Sequence, residues 1–382
     1  MALFRQKKRK SQSLKKRQAQ CLKAVSTLIK GHINVPTFGR TPSEIILEGV
    51  IAAAAGGHSV TSYTQSHDNL PSHATCLARL HNLDLDELER QSHRMLLAAA
   101  GSVIKIGKGY NFVIDITDDP YYGERTGTYA YNVVGGKQKA STNYFYAYIS
   151  LYVAEKGRRI TLATYSWTQQ SDLLEAIQKF VGIINSIGLK IESLCIDREF
   201  YVAKIFRYLQ EQNIPHIVPV KVQSCEIKKQ LKGKSSKTFE YTLKPEKDDA
   251  VTVTVVDCVV YLKGKKKTHG LQHHAFVVYG LALVPQTVRK IYSHRFGIES
   301  SYRMRNQAKA RTSTKDPVIR YFYTLIAFLI QNLWIKIQWL KFRKVQSGPV
   351  TIRAGVLTLD HFLQIIQNEA LILFPLIPID EL

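Results

Sequence analysis

The sequence predicts an α/β fold built on a mixed five-stranded sheet, and three observations predict it. A helical period governs the chain from Thr41 to about Ser102, then gives way at Tyr110 to strand-like alternation. Three successive strand patterns are followed by helix, strand, helix and strand. Two short apolar runs stop at an aspartate, where a buried strand would surface.

The elements follow in chain order. Thr41-Pro42-Ser43-Glu44 opens a helix with a cap and a first-turn proline, and Gly56-Gly57 closes it after Ala52 to Ala55. Pro71-Ser72-His73 starts a second helix, through Leu80. Asp84 to Ala100 is a third, with Leu85, Leu88, Met95 and Leu96 at helical spacing. The junction near His81-Asn82 suits a helix-turn-helix or a plain helical bundle. Tyr110 to Thr117, Asn143 to Val153 and Arg159 to Tyr165 read as an antiparallel meander, with turns at Gly135-Gly136 and Lys156-Gly157. Asp172 to Ile187 is an amphipathic helix ended by Gly188. Lys190 to Ile196 is a strand stopping at Asp197, Tyr201 to Gln212 a helix and His216 to Val220 a strand. That order is the order of a ribonuclease-H-like core.

From about Lys221 the order breaks. A Lys-rich stretch precedes strand patterns at Thr238 to Leu243, Val251 to Leu262 and His273 to Leu283, with Lys263 to Lys267 as a charged turn. This predicts an inserted β subdomain. Helices return at Gln286 to about Lys309 and at Pro317 to Lys344. The expected layout is a basic arm over 1–40, a helical DNA-binding region over 41–105, the first part of the core over 106–220, the β insertion over 221–285, the second part of the core over 286–345 and a tail over 346–382.

The 382 residues suffice for two or three domains and a large core. Lys plus Arg number 53 against 30 Asp plus Glu, a formal charge of +23. Ten of those cations and no acid lie in Met1 to Lys30. Such clustering excludes an acidic disordered chain and points to a polyanionic partner. Five scattered cysteines without a CxxC pair exclude a disulfide framework and suit a reduced intracellular compartment. The basic start has no apolar run behind it, so no signal peptide is expected. Gln331, Asn332, Lys336 and Gln338 interrupt the apolar stretch from Tyr321 to Trp339, which reads as a buried helix rather than a membrane span.

Three acids are the candidate catalytic residues. Asp115 follows Phe112-Val113-Ile114, and Asp197 follows Ser193-Leu194-Cys195-Ile196. Glu299 sits in a basic helix expected from Ile291 to about Lys309, with Tyr292, Arg295 and Arg303 on the same face. Asp118 and Asp119 compete with Asp115, and Glu199 with Asp197. The acids directly after the apolar runs are preferred, and Asp257 reads as structural. An Asp after a strand also serves as an ordinary turn or cap residue. Three converging carboxylates repel one another unless divalent cations neutralise them, and hard oxygen ligands suit Mg²⁺. His269, His273, His274 and Cys258 fit no zinc spacing and read as strand and turn residues.

Four passages then carry a resemblance. They are Val113-Ile114-Asp115 with Asp119-Pro120-Tyr121-Tyr122-Gly123; Cys195-Ile196-Asp197-Arg198-Glu199-Phe200; Tyr292-Ser293-His294-Arg295-Phe296-Gly297-Ile298-Glu299; and Arg320-Tyr321-Phe322 through Gln331-Asn332-Leu333-Trp334. From about Tyr110 to Trp334 the chain resembles the DDE transposases of prokaryotic insertion sequences, within the insertion-sequence-four superfamily. That superfamily's Tyr, Arg, Glu, Lys signature matches at Tyr292, Arg295 and Glu299. Asn306 stands at the Lys position, with Arg303, Arg305 and Lys309 as the nearby cations.

The resemblance implies a DNA transposase in which Asp115, Asp197 and Glu299 hold two Mg²⁺ ions, with Mn²⁺ as a substitute. It implies DNA contacts from Tyr292, Arg295, Arg303, Arg305 and Lys309, and from Lys228, Lys229 and Lys232 of the insertion. Transposon ends and target DNA are the implied partners, and a homodimer on DNA in the cytoplasm, at the nucleoid, the implied setting. No membrane and no small-molecule cofactor are expected. A metal-dependent nuclease and an inactive DNA-binding relative are the alternatives.

Overall fold

The structure, a computed structural model, describes residues 20–36, 41–155, 157–244, 250–264, 269–344, 351–352 and 354–378. Most of the expected basic arm, Lys156 of one expected turn and Lys265 to Lys267 of another lie outside the described residues.

A nine-stranded sheet forms the centre. Its first part comprises β1 (Gly109–Pro120), β2 (Val133–Lys139), β3 (Thr142–Glu155), β4 (Arg158–Trp167), β5 (Lys190–Ile196) and β6 (His216–Pro219). Strand β1 pairs antiparallel with β3 and parallel with β5, β3 pairs with β4, and β5 runs parallel to β6. The order β4-β3-β1-β5-β6 is the mixed five-stranded, ribonuclease-H-like sheet expected from the element order.

One expectation fails within it: Gly135-Gly136 lies inside β2, and the reversal falls at Ala140 and Ser141, which adopt φ values of 48° and 63°. The strands of the expected β insertion extend the sheet. Strands β7 (Lys237–Leu243), β8 (Val251–Leu262) and β9 (Gly270–Tyr279) join the same sheet, because β9 pairs antiparallel with β6. All four residues of β6 are buried, so its outer edge needs a hydrogen-bonding partner, and β9 provides one.

Strand alternation gives the sheet two apolar faces. Phe112, Ile114, Leu194 and Ile196 point toward α6 (Leu173–Ser186) and α7 (Ala203–Glu211). Val113, Tyr148, Tyr152 and Cys195 point the other way. That second face is covered by α9 (Pro285–Ser293), α10 (Phe296–Gln307) and the long α11 (Pro317–Phe342). Between α7 and α9 lies only the short α8 (Cys225–Gln230) among the described residues.

Helix α11 is the one described helix long and apolar enough to cross a membrane, and 89% of its apolar window is buried within the fold. Three of the polar residues that interrupt it, Gln331, Asn332 and Gln338, make internal bonds. Gln331 donates to Ser301 Oγ at 2.7 Å. Asn332 donates to Leu96 O and Thr161 O at 3.1 and 2.8 Å, and accepts from Thr161 N at 3.2 Å.

Five helices precede the sheet: α1 (Cys21–Lys30), α2 (Ser43–Gly56), α3 (Val60–Ser66), α4 (His73–His81) and α5 (Leu85–Ala100). Helix α4 packs on α3 and α11, and α5 on α11 and β4, so both are built onto the core. Part of the expected arm is helical: α1 buries Leu22, Val25 and Ile29. Part of the expected tail is helical as well. α12 (Leu359–Leu373) packs on α2 and α1, and Glu369 accepts hydrogen bonds from the amides of Gln20, Cys21 and Leu22 at 3.0, 3.1 and 2.8 Å. A residue from the far end of the sequence thereby caps the first described helix.

Candidate active site

The two aspartates meet because of strand register. The last parallel pair of β1 and β5 is Ile114 with Ile196, so Asp115 and Asp197 are the next residues on each strand. Both continue the face of Val113 and Cys195, under α9 and α10. Strand β1 runs past Asp115 and beyond the expected Thr117. It continues to Pro120 against β3, with Asp115 opposite Ser150. Asp197 does end β5, and its Oδ1 accepts from Arg198 N at 2.6 Å to cap a short 3₁₀ turn.

Glu299 comes from a helix that is not the single one expected. The chain breaks at His294 and Arg295, between α9 and α10. There the amides of His294, Arg295, Gly297 and Ile298 bond three residues back, at 2.8–3.0 Å, which tightens the turn. Gly297 lets this turn approach β4, since a Cβ there would meet Arg159 Cζ at 3.1 Å. Arg295 is set at the break and Glu299 in the first turn of α10.

The three carboxylates converge on one guanidinium. Arg295 Nη2 lies 2.9 Å from Asp115 Oδ1 and 3.3 Å from Asp197 Oδ2, and Nη1 lies 4.0 Å from Glu299 Oε1. The two aspartate oxygens are therefore at most about 6 Å apart. Exposure is graded: the side chain of Asp115 is 10% exposed, that of Asp197 36% and that of Glu299 56%. Burial pushes the Asp115 carboxyl up to about 6; Arg295 pulls against this and the charge of Asp197 adds to it. Burial opposes the charge on Arg295, but Asp115, Tyr292 and Asp197 outweigh it and raise its pKa.

The donor chemistry is of the kind a divalent cation takes: one guanidinium faces three carboxylate groups. All the facing donors are hard oxygens, which suit Mg²⁺. The seat itself is taken by Arg295, and among the described residues no group of three or more His, Cys, Asp or Glu is arranged to hold a metal.

Tyr302, which sequence reasoning missed, fixes the first acid. Its hydroxyl lies 2.7 Å from Ser150 Oγ and donates to Asp115 O at 3.2 Å. The signal was its position three residues after Glu299, on the same helical face. A cavity of about 360 Å³ opens here, lined by Asp115, Asp118, Asp197, Arg295, Glu299 and Tyr302, among others.

The expected DNA contacts divide. Tyr292 is buried, with its ring 4.9 Å from that of Phe276 and Arg295 over its face at 5.9 Å. Arg303, Lys228, Lys229 and Lys232 are exposed. Arg305 is a correction. It is fully buried, donates to Asp119 Oδ1 at 2.8 Å and to Asn306 Oδ1 at 2.8 Å, and packs over Phe328 and Tyr302. Lys309 pairs with the other oxygen of Asp119. Burial raises the Asp119 carboxyl, but Arg305 and Lys309 outweigh it and hold the group below the ordinary carboxylate range. Asp119, weighed against Asp115 for the site, is thus the anion of a buried ion-pair cluster. Asp118 pairs with Lys139 at 2.6 Å.

No protein-family model matches the sequence, and no curated protein is matched. Among solved structures the chain is similar to one described as a cryo-EM structure of the piggyBac transposase synaptic complex with hairpin DNA. The TM-score is 0.53 at 13% sequence identity, over 92% of this chain and 76% of that one. At that identity the likeness shows the architecture: a mixed α/β, ribonuclease-H-like, transposase-like fold.

Proposed function

We propose that this chain is a DDE-type DNA transposase that cleaves the ends of a mobile element and joins them to target DNA. One observation carries the reading: three carboxylates, from β1, the end of β5 and the start of α10, converge at the C-terminal edge of the parallel strand pair. In this reading Asp115, Asp197 and Glu299 hold two divalent ions, which supply Lewis-acid activation of the attacking and leaving oxygens. Tyr302 holds the backbone of Asp115 in place. Arg295 leaves the carboxylates for a phosphate of the DNA, a planar fork exchanging one anion for another. Arg303 and the exposed lysines Lys228, Lys229 and Lys232 grip the backbone without regard to sequence. Membership of the insertion-sequence-four superfamily rests on the spacing of Tyr292, Arg295 and Glu299. A homodimer on DNA and a nucleoid location belong to the same proposal.

One observation favours the alternative of an inactive DNA-binding relative: the guanidinium of Arg295 fills the seat between the acids. Incubation with Mg²⁺, a labelled duplex from the DNA flanking the coding sequence, and a supercoiled plasmid separates the readings. Joined product that vanishes on Asp197→Ala or Glu299→Ala supports the transposase. Cutting without joining makes the chain a nuclease. A band shift with neither, in Mg²⁺ or Mn²⁺, ends the catalytic reading.

A further inference from the structure

A second cavity, of about 590 Å³, adjoins the acid site and shares Asp197, Glu199 and Arg295 with it. It lies where β6 stops. Strand β9 pairs with β6 only from Phe276 to Tyr279, and just before that Val220 N donates to Ala275 O at 3.0 Å. The stretch carrying His273 and His274 therefore lines the cavity. Its cations are Arg198, Lys221, Arg289 and Arg295, against Asp197 and Glu199. Phe276, Tyr292 and Phe296 give it an aromatic wall.

Asp257 is fully buried on β8, and its Oδ2 lies 2.7 Å from His273 Nδ1. The carboxylate fixes the ring's orientation and leaves Nε2 for another partner. His274 Nε2 is buried and finds no hydrogen-bond partner. Burial, then the nearby Arg289, push the His274 ring below its ordinary range. Cations thus outnumber anions in a cavity whose polar groups are incompletely satisfied.

We propose that this cavity is a phosphate-binding subsite for the DNA strand leading away from the acid site. His273, Arg289 and Lys221 are its donors, and Asp257 positions His273. The volume exceeds that of a phosphate alone and has room for the attached sugar. The inference rests on the reading of the chain as a DNA-processing protein and assigns part of the strand's path.

The test uses the full chain in EDTA, with labelled duplexes that are blunt or carry a single-stranded extension, titrated by fluorescence anisotropy over a range of salt. Arg289→Gln is expected to weaken binding of the extended duplex about fivefold to tenfold and to lower its log–log salt slope by about 0.7, and His273→Gln to weaken it similarly through its lost hydrogen bond. Blunt-duplex affinity stays unchanged. Asp257→Asn acts in the same direction and spares the blunt duplex. A merely structural role would weaken both DNAs together and would overturn the positioning role. If Asp257→Asn melts at the assay temperature, the other two variants carry the test. Inorganic phosphate and a nucleoside monophosphate serve as competitors. Displacement by either at submillimolar concentration, abolished by His273→Gln, would make this a free-phosphate site and overturn the proposal. Equal losses on both duplexes, or none, would overturn it too. Failure of strand joining with these effects intact would sink the transposase reading and leave the subsite standing.

Discussion

Replacing Asp115 by Asn should stabilise the metal-free protein. The carboxyl is raised from an ordinary 3.8 to about 6, mainly by burial, so its ionised form is disfavoured in the native state even with Arg295 beside it. Between those two values the native state holds a proton that the unfolded chain has lost, so native stability falls as pH rises through this window. Above about pH 6 the loss is complete. A shift of about two units corresponds to roughly 3 kcal/mol. Asn carries no charge and escapes this cost, less the strength of the bond to Arg295 that it weakens. Urea unfolding in EDTA measures the difference. Asp115→Asn is expected to exceed the wild type by about 1–3 kcal/mol at pH 7.5 and to match it near pH 4. Added Mg²⁺ should raise the midpoint of the wild type and leave that of the variant unchanged. A variant less stable than the wild type at pH 7.5, or a difference that does not shrink on acidification, would refute this account of the site's electrostatics.

Three further outcomes are expected. Arg305→Met should cost about 3–5 kcal/mol in urea unfolding, because buried Asp119 loses the guanidinium bonded to its Oδ1; a surface-like loss under 1 kcal/mol would contradict the buried pair. The Asp119 carboxyl is depressed in the native state, so its contribution is present above the ordinary carboxylate range and disappears as pH falls through the lower native value. Asp119→Asn should therefore flatten that part of the acid-unfolding curve. Glu369→Ala should cost about 1–2 kcal/mol and speed hydrogen exchange at the amides of Gln20, Cys21 and Leu22, with no change at α5.

Much of this arrangement was legible in the sequence. Val113-Ile114-Asp115 and Cys195-Ile196-Asp197 share one form because both strands are buried on both faces and open onto the same edge. The local pattern could not reveal where β1 ends, since the alternation continues through Thr117 and Asp119, both buried. Arg305 is a DNA contact only by the resemblance, as a cation near the signature Lys position that Asn306 occupies. Only the tertiary fold brings Asp119 beneath it. The apolar spacing of Leu22, Val25 and Ile29 was masked by the surrounding lysines. That of Phe362, Leu363, Ile366 and Ala370, after the capping Thr358, is complete within the expected tail, while the helices it packs on, α1 and α2, lie at the other end of the chain. The pairing of β9 with β6 is a non-local contact that no short window contains.

That pairing has a mechanical consequence. From the outermost strand β7 through β8, β9 and β6 to β5, one unbroken ladder of hydrogen bonds reaches the backbone that carries Asp197. A load placed on the far edge by a bound macromolecule is transmitted along that ladder as along a stiff plank. The same ladder continues from β5 to β1, so cargo seated on β7 and β8 would shift Asp197 and Asp115 together relative to Glu299, which arrives separately on α10.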